Sequence, residues 1–155
     1  MNEEKIRLVI ATRLKREEFL KKSATGKSVM KFIEISKAEI RLYSENRTGL
    51  SELYNKAIDE SINTPCILVF IHDDVLITDW YWVQKIRDGL RRFDLIGVVG
   101  NTKRREYQPS WIIINTEGNL DNFENLSGAI GQGQNFPPEK LDVFGPVGRE
   151  CKLLD

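Results

Sequence analysis

Residues 66–80, CILVFIHDDVLITDW, constrain the fold more than any other stretch: a bulky, mostly β-branched run at 67–71 closes in the single histidine and two adjacent aspartates. A strand apolar on both faces belongs in a parallel sheet with helices packed on either side. Carboxylates at its C-terminal end then stand on the rim where open α/β sheets bind ligands.

The flanking sequence supplies the rest of such a sheet. IRLVIAT (6–12) reads as a first buried strand. AEIRLYSE (38–45) reads as a second, half-buried one, alternating Ile40, Leu42 and Ser44 against Glu39, Arg41 and Tyr43. The segment between them is charged and helical at first, breaks near Gly26, and is then apolar at Val29, Phe32 and Ile33. Leu50, Leu53, Tyr54, Ala57 and Ile58 make the stripe of an amphipathic helix that Pro65 stops. Thr78 and Asp79 offer an N-cap to a helix burying Val83, Ile86, Leu90 and Phe93. LIGVVG (95–100) and SWIIIN (110–115) read as two further strands. Alternation of strand and helix predicts an α/β fold with a doubly wound, mostly parallel sheet. From residue 116 the chain turns to Gly, Asn and Pro, which reads as a long irregular loop suited to closing over a ligand.

Bulk properties narrow the setting. Lys and Arg number 23, as do Asp and Glu, so no net charge steers the chain to nucleic acid or an anionic membrane. No apolar stretch approaches the roughly 20 residues of a membrane helix. The start lacks a signal peptide's pattern. Two cysteines, Cys66 and Cys151, make no disulfide framework. A cytoplasmic protein is expected.

Asp73 and Asp74 cannot project the same way from a regular strand. At the strand's end one can face the rim while its neighbour grips backbone or a ligand hydroxyl. Two close carboxylates suit a hard divalent ion, Mn²⁺ or Mg²⁺, that also takes substrate phosphates. The plainer reading is that both cap the turn. His72 is a ligand or an orienting core residue. SATGKS is not a P-loop, because the pattern needs glycine where Lys21 stands. GAIGQGQ (128–134) reads as loop, not as a dinucleotide fingerprint. Lys103, Arg104 and Arg105 follow a strand and suit phosphate oxygens, or form a solvated charged loop. Asn46 and Asn55 suit a ligand pocket or ordinary turn and cap chemistry.

Taken together, ENRTGLSELYNKAIDES, ILVFIHDDVLITDWYW and DLIGVVGN, with PSW, ENLSG, FPPEKLDVFGP and CKLLD, resemble the GT-A-type nucleotide-diphospho-sugar transferases. The nearest likeness is to a bacterial glycosyltransferase-like subgroup carrying an HDDV form of the DxD motif. The resemblance implies one GT-A-like domain over 1–155, with a nucleotide-sugar-binding core at 1–115 and, at 116–155, a loop and the start of an acceptor-side segment. It implies a UDP- or GDP-type donor across the strand ends, with Mn²⁺ or Mg²⁺ bridging its diphosphate. Asp74 matches the DxD metal ligand, and Asp73 lies where the neighbouring carboxylate contacts ribose or metal. Ala11, Thr12 and Arg13 occupy the nucleoside cradle. Glu45 and Asn46 stand where the base is read, with Tyr54 and Asn55 in support. Arg104 and Arg105 would meet the departing diphosphate. Relatives continue past CKLLD, which implies a truncated acceptor half and leaves Asp155 as the candidate base. Metal-dependent sugar transfer to an unidentified acceptor is the expected activity; the rival is a nucleotide-sugar-binding scaffold without turnover. A sheet edge at Asp155 favours a homo-oligomer.

Overall fold

β1 (Ile6–Ala11) is the middle strand of a three-stranded parallel sheet, between β2 (Glu39–Tyr43) and β3 (Ile67–Ile71). Leu8 is in register with Ile40 on one side and Val69 on the other. Pleating sends alternate side chains of β1 to opposite faces. Ile6, Leu8 and Ile10 join Phe19, Val29 and Ala38 in one buried cluster, while Val9 packs with Leu53 and Ala57 in another. The strand buried on both faces is therefore β1. β3, whose composition also predicts cover on both faces, borders the sheet and leaves Phe70 38% exposed. Apolar content alone misleads here, because β1 hides a charge: Arg7, with a side chain 11% exposed, pairs with Glu39 at 3.1 Å.

The structure, a computed structural model, describes residues 4–133 and 138–155. The chain divides into two units at Arg87 and Asp88. In the first, α1 (Arg16–Lys22) and α2 (Ala24–Ser36) pack on the Leu8 face, and α3 (Leu50–Ile62) packs on the Val9 face. The helical break falls at Ser23 instead of Gly26. Ser23 caps α2 by accepting the Gly26 N–H at 2.8 Å, and its hydroxyl donates to the Phe19 carbonyl at 2.8 Å. Gly26 belongs inside α2 because the Phe19 carbonyl occupies the space a Cβ would need. α4 (Trp82–Leu90) starts in the first unit and ends in the second.

The second unit holds an antiparallel sheet of order β6-β5-β4-β7, formed by β4 (Val99–Asn101), β5 (Leu126–Gln132), β6 (Lys140–Phe144) and β7 (Leu153–Leu154). Val99, Trp111 and Leu126 form its buried core, with Phe144 edge-on to Trp111 at 5.3 Å. Three expectations are corrected. Residues 95–100 give a short strand paired antiparallel with β5 and β7, outside the parallel sheet. Residues 110–115 contribute only an isolated bridge between Ile113 and Leu120. The segment read as irregular supplies β5 and β6, which pair from Gly128–Phe144 to Gln132–Lys140. Within that segment and GAIGQGQ, residues 134–137 lie outside the described residues. Gly128 explains the misreading. At φ +126° a Cβ there would sit 2.7 Å from the Val98 carbonyl, so glycine permits the close approach of β5 to β4. The fold is mixed α/β, with a parallel and a separate antiparallel sheet. Among the described residues no helix is long and apolar enough to cross a membrane.

Candidate functional site

Because β1, β2 and β3 run parallel, their C-terminal ends share one rim. Ala11 closes β1, with Thr12 and Arg13 beyond it; Glu45 and Asn46 follow β2; His72, Asp73 and Asp74 follow β3. Backbone bonds continue past the strands. Thr12 N–H donates to the Tyr43 carbonyl at 3.0 Å, Asn46 N–H to the Thr12 carbonyl at 2.9 Å, and Glu45 N–H to the Leu14 carbonyl at 3.0 Å. Glu45 takes a left-handed φ of 54°, a region sparsely used by residues with a Cβ.

The two aspartates have different surroundings. Thr12 is buried, and its hydroxyl donates to Asp73 Oδ2 at 2.5 Å. The Asp73 carbonyl accepts the Thr25 N–H at 3.3 Å. Asp73 is thus held by side chain and backbone, with Oδ1 left over. Asp74 is exposed, and its carboxylate has no hydrogen bond or ion pair among the described residues. His72 is exposed, and its carbonyl receives the Thr25 hydroxyl. Asp74 and Asp73 Oδ1 are the groups at this tip that could face a cation. Among the described residues no three His, Cys, Asp or Glu side chains form a group that could hold a metal ion alone.

The remaining predicted residues scatter. Asn46 folds onto its own turn: its amide donates to the Thr48 carbonyl at 2.8 Å, and Oδ1 accepts the Thr48 N–H at 3.1 Å. Arg13 and Asn55 are exposed, Asn55 on the outer side of α3. Tyr54 packs against Phe70 with ring centroids 4.5 Å apart. In the second unit Arg104 is exposed. Arg105 closes its fork on Asp121, Nη1 to Oδ2 at 2.7 Å and Nη2 to Oδ1 at 3.1 Å. That pairing, which outweighs burial and is assisted by Asn101 and Asn125, holds the Asp121 carboxyl far below the usual carboxylate range. Asp155 exchanges backbone bonds with Val99 beside β7, Asp155 N–H donating at 3.0 Å and its carbonyl accepting at 3.4 Å.

Sequence reasoning missed Thr25, Ser28 and Asp121. The first two lay in the motif set aside as a failed P-loop. Asp121 lay in the stretch read as loop. Comparison with protein-family models, with curated proteins and with solved structures finds no match.

Proposed function

We propose that the acidic tip of β3 binds the diphosphate of a UDP- or GDP-type sugar donor together with Mn²⁺ or Mg²⁺, in the manner of a GT-A glycosyltransferase, and that the protein passes the sugar to an acceptor. One observation carries the reading: an exposed, unpartnered Asp74 beside an Asp73 fixed by Thr12, at the C-terminal end of a parallel strand. Few protein ligands is the expected pattern for such ions, which take one or two carboxylates and fill the remaining positions with phosphate and water. When bound, the cation would offset the charge of the departing diphosphate.

The chain's own residues have separate tasks. Asp74 supplies the open carboxylate. Asp73, immobilised by Thr12, fixes where that carboxylate stands and leaves Oδ1 for cation or ribose. Ala11, Thr12 and Arg13 form the floor for the nucleoside. Glu45, whose carboxylate has no hydrogen bond or ion pair among the described residues, stands at the end of β2 for a base or ribose donor group, whereas the Asn46 amide is committed to its turn. A cytoplasmic setting goes with this reading and with two free cysteines.

Calorimetry with UDP or GDP, with and without MnCl₂, tests the proposal. Binding is expected only with metal, and Asp74→Ala is expected to weaken it about 30-fold or more with an unchanged unfolding midpoint. Metal-independent binding, or equal affinity in the variant, overturns it. Release of UDP from a UDP-sugar then separates a transferase from a scaffold that only binds.

A further inference from the structure

We infer that Thr25 is the positioning residue of the acidic tip, and that the first turn of α2 holds residues 72–77 in the shape that leaves Asp74 facing out. As a statement about ligand binding this rests on the reading above; as a statement about the turn it stands alone.

The helix does not need Thr25 for its own start, because Ser23 caps α2. Thr25 is nonetheless fully buried, and its hydroxyl and backbone N–H are directed to the segment after β3. Oγ1 lies 2.5 Å from the His72 carbonyl oxygen and 2.7 Å from that of Val75, sharing its single proton between them. The same oxygen accepts the Val75 N–H at 3.0 Å. The Thr25 N–H, one of the donors a helix start leaves without an intrahelical partner, goes to the Asp73 carbonyl. One turn on, Ser28 Oγ accepts the Ile77 N–H at 3.1 Å and donates to the Thr25 carbonyl at 3.1 Å.

Carbonyls 72, 73 and 75 and amides 75 and 77 are therefore tied to two side chains and one amide of α2. Asp74 sits at the centre of this bracket with its side chain exposed. Valine at position 25 keeps the shape of threonine but removes the hydroxyl, leaving two part-buried carbonyls and an amide without that partner. Serine keeps the hydroxyl and loses a methyl. A purely packing role would favour valine over serine; a positioning role reverses that order.

The test compares wild type, Thr25→Val and Thr25→Ser by amide hydrogen exchange and by calorimetry with UDP and MnCl₂. In Thr25→Val, exchange at Val75 and Ile77 is expected to accelerate about ten-fold or more relative to Leu8 and Ile10 in β1, and UDP–Mn²⁺ affinity to fall by a similar factor. Thr25→Ser should stay within about three-fold of wild type on both readouts. Retained protection and affinity in the valine variant overturns the inference while leaving the donor site intact. Accelerated exchange in that variant, with no UDP–Mn²⁺ binding by wild type, supports the bracket and overturns the donor reading. Should Thr25→Val not fold, Ser28→Ala removes the acceptor for Ile77 together with the donor to the Thr25 carbonyl, and unchanged exchange at Ile77 then counts against the bracket.

Discussion

Asp121→Ala is expected to destabilise the antiparallel unit by about 3–5 kcal/mol, the cost typical of breaking a buried, hydrogen-bonded charge network from one side. The Asp121 side chain is 1% exposed. Besides the Arg105 fork it accepts the Asn101 amide at 2.8 Å, the Asn125 amide at 2.9 Å and the Asn122 N–H at 2.7 Å. Asn101, itself fully buried in β4, also donates to the Trp111 carbonyl. Removing the carboxylate therefore strips partners from donors on four residues and loosens the anchor of Trp111. Arg105→Ala should cost less, because that side chain is 38% exposed and water can replace much of the pair. Urea unfolding monitored by hydrogen exchange at residues 99–101 checks both; a loss below about 1 kcal/mol for Asp121→Ala would falsify the network's importance.

The same carboxylate predicts an acid profile. Its folded pKa is depressed, so its stabilisation is complete above the ordinary aspartate value of about 4 and is lost progressively as pH falls from there toward the folded-state value. Wild type should lose stability between about pH 5 and pH 2 more steeply than Asp121→Asn, which has nothing to titrate at that position. Parallel profiles for the two proteins would show that Asp121 is not responsible.

Gly26→Ala is the second large effect, and its sign is diagnostic. In an open helix this change adds about 1 kcal/mol of stability. Here an ideal Cβ would lie 2.2 Å from the Phe19 carbonyl oxygen and 2.8 Å from its carbon, both backbone atoms of α1. That carbonyl already accepts the Ser23 N–H and the Ser23 hydroxyl, so it has little room to yield. A cost of about 3 kcal/mol or more is expected, at the upper end of overpacking effects. Because Gly26 lies next to Thr25, any shift of α2 that relieves the collision should also raise exchange at Val75 and Ile77. A raised midpoint in thermal unfolding would mean that α1 and α2 do not meet in this way.

How much of this could be read in advance follows from where the physics is local. The stripe of α3 and the apolar runs of β1 and β3 announce themselves through period and composition, and the strand-end rule placed Asp73 and Asp74 on a rim. The order of the strands was less legible: Arg7 makes β1 look more peripheral than Ile67–Ile71, and only its pairing with Glu39 makes burial tolerable. The antiparallel unit was hardest. β5 contains glycines required by close backbone approach, which reads locally as loop. The network of Asn101, Asp121 and Asn125 joins residues up to 24 positions apart with no repeating pattern. Thr25 was visible as part of a motif, but its partners lie 47 to 50 residues away. No rule of spacing predicts them.

The place of β1 in its sheet has a consequence during synthesis. It precedes both its neighbours in the chain, so the edge that β3 covers stays open until β3 has left the ribosome some sixty residues later. At about 5–20 residues per second that interval is roughly 3–12 s. A nascent chain paused in α3 would present an open strand to chaperones, and slow codons placed there should lower the yield of soluble protein without altering a single side chain.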